Sequence, residues 1–183
     1  ALFIWLVGFG SVMSAFWILV ANSFMQHPTG YTLNNGRAEM TDFGAILKNP
    51  QVWYEFSHVI AGAIVTGGIV VAGLSAFKLL KKHQLSEMTQ TIYKKTMRVG
   101  LWVTLVASAS VLFAGDLQMK ALVEDQPMKF AATEGLYENS GDPAAWTVVA
   151  WANEAKKERV FGVEIPYMLS ILSYNAPEGA VKG

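Results

Sequence analysis

Cysteine is absent from the 183-residue sequence, which excludes disulfides, thiolate metal sites and cysteine nucleophiles. Any metal or cofactor must be held by His, Met or oxygen atoms. Charge is scarce too: Asp, Glu, Lys and Arg make up 15% of the chain, against about 25% in soluble proteins. The net charge is zero, and no run of like charge is long enough to grip a nucleic-acid backbone, so no nucleic-acid partner is expected. A basic leader with a small-residue cleavage site is also missing. Residues 1–20 begin inside an apolar run and do not read as a signal peptide. With a polar stretch at 176–183, the chain is expected to be an excerpt of a longer protein.

Apolar residues, by contrast, make up 52% of the chain. They are gathered into blocks of about 20 residues, enough at 1.5 Å per residue to cross a hydrocarbon core of about 30 Å. The sequence therefore reads as an all-α membrane protein: three transmembrane helices of a larger bundle, plus a long extracytoplasmic loop with short helical pieces. The expected divisions are a span over 1–24, an outer loop over 25–51, a span over 52–80, a hairpin over 81–96, a span over 97–115 and a loop over 116–183. Membrane lipid is thus a partner by composition alone. The hairpin carries Lys78, Lys81, Lys82, Lys94, Lys95 and Arg98, whereas the first loop has only Arg37 and Lys48. By the positive-inside rule the hairpin is cytoplasmic and residues after Asp116 lie outside. In the long loop, helix-compatible text surrounds 126–137, a mixed-charge patch covers 154–159, and an amphipathic run over 161–174 suits the membrane surface.

Few residues in the spans can do chemistry. His58 lies in the outer turns of the second span, where an unsatisfied imidazole costs several kcal/mol. Two readings compete: a histidine bonded to a neighbouring helix or interfacial water, and a haem-iron ligand. Gly62 and Thr66 follow on its face and leave a shallow trough that a flat macrocycle needs, although the same small residues also suit helix packing. Ser14 and Asn22, two turns apart, form a polar stripe on the first span. It reads either as interhelical hydrogen bonding, worth about 0.6 kcal/mol on average, or as part of a proton path. His27 and His83 fall in loops and read as solvated, and the methionines read as core filler. In the long loop, Lys129 and Glu134 project differently from a helix. They are either a solvated pair of charges or the flanks of a pocket where a carboxylate accepts a proton and an ammonium orients an oxygen.

These residues resemble a known family. The run Ser14-Ala-Phe-Trp-Ile-Leu-Val-Ala-Asn22-Ser-Phe-Met-Gln26, followed by Pro28, is similar to the fourth transmembrane helix of cytochrome bd oxidase subunit I. Phe56-Ser-His58, Gly115-Asp116, Gln126, Lys129-Phe-Ala-Ala-Thr-Glu134 and Ile165-Pro166-Tyr167 follow in that family's order, so the resemblance covers essentially the whole chain. It departs from the pattern over 139–159. The resemblance implies helices four to six and the quinol-binding Q-loop of a quinol:oxygen oxidoreductase of the bacterial cytoplasmic membrane. It also implies His58 as an axial ligand of low-spin haem b, Asn22 near the haem cluster, Ser14 on a proton route, and Lys129 and Glu134 in quinol oxidation. A high-spin haem b and haem d are expected in the complete subunit. The implied partners are quinol, oxygen, a subunit II and a small accessory subunit. The rival readings are a transporter or channel component whose His58, Ser14 and Asn22 line a polar path, and a structural membrane subunit without a redox centre.

Overall fold

The computed structural model describes residues 2–81, 85–153, 155 and 157–183. His83 and Lys82 of the hairpin, and Glu154 of the mixed-charge patch, lie outside the described residues. The chain divides into two compact units, Ala1–Gly115 and Asp116–Gly183.

In the first unit, α1 (Leu2–Gln26) leads through a hairpin, β1 (Tyr31–Asn34) and β2 (Arg37–Met40), to the short α2 (Phe43–Leu47) and then to α3 (Pro50–Leu80). The fourth helix, α4 (Glu87–Asp125), begins in this unit. α1, α3 and α4 are each long and apolar enough to cross a membrane. Only 6%, 22% and 17% of their most apolar stretches are buried within the chain, so most of their apolar surface is left for lipid or further helices. The hairpin follows from Asn35-Gly36, both at positive φ (49° and 76°), the combination that a tight two-residue turn demands.

The C-terminal end of α1 and the N-terminal end of α3 are tied by Asn49. Its side-chain oxygen caps α3 by accepting from Gln51 N (3.0 Å), ahead of Pro50 in the first turn. Its Nδ2 donates to the carbonyls of Ser23 (3.3 Å) and His27 (2.8 Å) at the end of α1. One buried amide thus satisfies orphan groups of two helix termini. Val20, Ile46 and Val52 form the small core beneath it, with Phe16, Phe24 and Leu47 packed around them.

α3 and α4 meet through glycines. A Cβ on Gly100 would stand 2.9 Å from Gly68 O and 3.0 Å from Ala72 N, and one on Gly68 would meet the Thr104 hydroxyl. Backbones this close require residues without side chains. The third span was expected to stop at Asp116. The apolar text does stop there, but the helix runs on to Asp125, since Lys120 one turn later lies 2.5 Å from the Asp116 carboxylate.

The second unit holds the end of α4, then α5 (Pro127–Glu134), the antiparallel pair β3 (Trp146–Asn153) and β4 (Glu158–Ile165), and α6 (Met168–Tyr174). Its core is Phe130, Ala144, Leu169 and Val181, with Met119, Leu122, Val123, Leu136 and Trp146 around it. Ser170 stitches it together, accepting from Ala144 N (2.8 Å) and donating to Gly179 O (2.7 Å). The amphipathic run 161–174 is not a single element. Its first part is strand β4, paired along β3, and Tyr167, at a left-handed φ of 64°, separates that strand from α6. Phe161 and Val163 stand two apart in β4, which is strand periodicity.

Candidate functional site

His58 sits on α3 two turns after Pro50, half-buried. Its ring lies against Gly115 of α4, where a Cβ would come within 3.2 Å of Cε1 and 3.4 Å of Nδ1. The glycine is what lets the imidazole lie on the neighbouring helix. Nδ1 is buried and has no hydrogen-bond partner among the described residues, a situation that costs about 1–3 kcal/mol when nothing else satisfies the atom. On the next turn Gly62 has open space where a side chain would be. An apolar groove of about 390 Å³ then runs from Ala61 and Ile64 along Trp102, Val103 and Val106. An imidazole with open space at Gly62 beside it fits a flat macrocycle carrying its own metal, whereas the apolar groove is lined by neither residue. Among the described residues no three His, Asp or Glu side chains converge.

Asn22 does not share a site with Ser14. Ser14 is exposed on α1, whereas Asn22 Nδ2 donates to both carboxylate oxygens of Glu55 on α3, at 3.0 and 2.9 Å. Glu55 is 4% exposed and also accepts from Gln26 Nε2 (2.6 Å), Gln51 Nε2 (3.1 Å) and Ser23 Oγ (3.4 Å). This cluster was not anticipated from the sequence. The signal was present: Glu55 is a carboxylate in the outer turns of an apolar span, and Asn22, Ser23 and Gln26 share the facing end of α1.

In the second unit α5 carries Lys129 and Glu134. Phe130 and Ala131, 3% and 2% exposed, anchor one face of this helix in the core. Gly135, at a φ of 64°, ends it with the left-handed cap that glycine adopts without strain. Lys129 is exposed and Glu134 half-buried. Burial pushes the Glu134 carboxyl above its ordinary value, partly offset by a hydrogen bond from the Trp146 side chain. A partly shielded carboxylate of raised basicity is better suited to accepting a proton than a solvated one.

Three membrane-length helices and a folded polar unit define a multi-pass membrane protein. The family model described as cytochrome bd terminal oxidase subunit I matches residues 1–183, and the chain belongs to that family. It is 51% identical over its whole length to cytochrome bd ubiquinol oxidase subunit 1 of Bacillus subtilis (strain 168), covering 38% of that protein. Over 98% of its length it is 33% identical to cytochrome bd-II ubiquinol oxidase subunit 1 of Escherichia coli (strain K12), covering 34% of that one. The solved structure of bd oxidase from Geobacillus thermodenitrificans superposes with a TM-score of 0.79 at 32% identity, over 97% of this chain and 39% of the other. The chain thus spans between a third and two fifths of the length of these relatives.

Proposed function

We propose that this chain is the electron-entry section of a quinol:oxygen oxidoreductase in the bacterial cytoplasmic membrane, acting with a subunit II and a small accessory subunit. The observation that carries the reading is His58, whose ring lies on Gly115 with Nδ1 buried and unpartnered, within a chain that the oxidase family covers from end to end. His58 would be an axial ligand of a low-spin haem b, with the second ligand elsewhere in the subunit. A haem bound there supplies one-electron transfer between quinol and the high-spin haem b and haem d of the complete enzyme. Gly115 leaves the ring its place, and Gly62 leaves clearance beside it.

Quinol oxidation is assigned to α5. Glu134, with its raised affinity for protons, takes a hydroxyl proton of the quinol, while the Lys129 ammonium orients a quinol oxygen. The lysine-rich hairpin supports an extracytoplasmic position for 116–183. Protons from quinol then leave outside while oxygen reduction draws protons from the cytoplasm, which separates charge. Ser14 is assigned to the proton route and Asn22 to the surroundings of the haem cluster through its bond to Glu55.

A reduced-minus-oxidised visible spectrum of the complete oxidase tests the reading. His58→Ala is expected to remove the low-spin haem b band and leave the other haem bands. An unchanged low-spin band would assign the ligand elsewhere. Lys129→Ala and Glu134→Ala are expected to slow quinol oxidation at least tenfold and to spare oxygen reduction by artificial electron donors.

A further inference from the structure

Glu55 has no part in that mechanism, yet it is the most heavily bonded side chain of the first unit. Its carboxylate accepts from Asn22, Ser23, Gln26 and Gln51, every contact a donor, and every donor neutral. No cation pairs with it among the described residues. Lys48 and Asp42, the nearest charged residues of the preceding segment, are exposed, and Asp42 caps α2 through Ala45 N. The titratable side chains nearest to it along α3 are Tyr54, the preceding residue, and His58, one turn on. Neutral amide and hydroxyl donors therefore surround a carboxylate that is 4% exposed. A charge so placed is weakly screened and acts strongly on its surroundings.

Residues three apart on a helix are neighbours at the Cβ, about 5–6 Å apart, so Glu55 stands one turn before His58 on α3, its carboxylate turned to α1 and the His58 ring to Gly115 of α4. We propose that Glu55 is a fixed buried anion that lowers the reduction potential of the haem held by His58, with Asn22, Gln26 and Gln51 as its positioning residues. The inference rests on His58 being a haem ligand. The sign follows from charge. The oxidised iron carries one more positive charge than the reduced iron, a nearby anion favours the more positive state, and the potential falls. A potential set from the protein side of the axial ligand is one of the means by which a fold tunes haem. If Glu55 served only to fasten α1 to α3, its loss would weaken assembly and leave the potential of properly bound haem unchanged.

The experiment is a redox titration of the low-spin haem band in the complete oxidase complex. Glu55→Gln is expected to shift the midpoint potential to more positive values, and Glu55→Asp, which keeps the charge, to hold it near wild type. Because Glu55→Gln turns an amide towards donors and can fail to assemble, the paired variant Glu55→Leu with Gln26→Leu replaces acceptor and shortest donor by apolar groups. It is expected to shift the potential in the same positive direction. A low-spin band at the wild-type potential in either charge-removing variant overturns the proposal. So does an equal shift in Glu55→Asp. Failure of the underlying ligand assignment is distinguished by His58→Ala, which would then keep the band whatever Glu55 does.

Discussion

Gly115 carries a consequence out of proportion to its size, because any side chain there meets His58 at 3.2 Å. Gly115→Val is expected to push the imidazole off α4 and to broaden or shift the low-spin haem band, read in the same difference spectrum. Glu134 is testable by pH. Its carboxyl titrates above its ordinary 4.5 when folded, so the folded loop binds the proton more tightly than the unfolded one. Loop stability is therefore greatest below pH 4.5 and falls as pH rises through the raised value. Glu134→Gln should remove that loss and protect loop amides from hydrogen exchange at neutral pH. At this scale the sequence was partly legible. A lone histidine in an apolar span announces itself, and the short run around Lys129 and Glu134 is distinctive. Glu55 was passed over because its partners come from three places in the chain, and Asn22 was joined to Ser14 by spacing when its amide turns to α3.

Helices were the legible elements, since a run of about 20 apolar residues has one stable conformation in lipid. The end of α4 was not, because a helix does not stop where its hydropathy does if the next turn supplies a partner, as Lys120 does for Asp116. β3 and β4 were missed for another reason. Over 139–159 no family pattern is recognisable, and the apolar alternation in β4 reads equally as an amphipathic run on a membrane surface. The Asn35-Gly36 turn, by contrast, was a plain hairpin signal that went unused. Two substitutions test the packing. Gly100→Val would drive a side chain into Gly68 O and Ala72 N and should destabilise the α3–α4 contact by about 1–3 kcal/mol, measured as loss of thermal stability of the purified complex. Asn49→Ala removes the cap of α3 and two bonds to α1, and should cost more than the ~1 kcal/mol of an ordinary cap.

For the molecule as a whole, the absence of cysteine makes topology directly measurable. In a cysteine-free background, Gly141→Cys is expected to react with a membrane-impermeant thiol reagent from the outer side, and Lys81→Cys only after the membrane is opened. The reverse pattern would invert the assignment of sides. The large apolar faces of α1, such as Phe3, Trp5 and Phe9, are exposed, as befits a section of a bundle. The Glu55 clasp also bears on how that bundle is made. A helix carrying a lone carboxylate is a poor substrate for membrane insertion, and α3 cannot satisfy Glu55 by itself beyond Gln51. Its remaining donors, Asn22, Ser23 and Gln26, all stand on α1, which is synthesised first. During biogenesis α3 is therefore expected to insert more completely when α1 precedes it than alone, measured as the membrane-inserted fraction of α3 with and without α1.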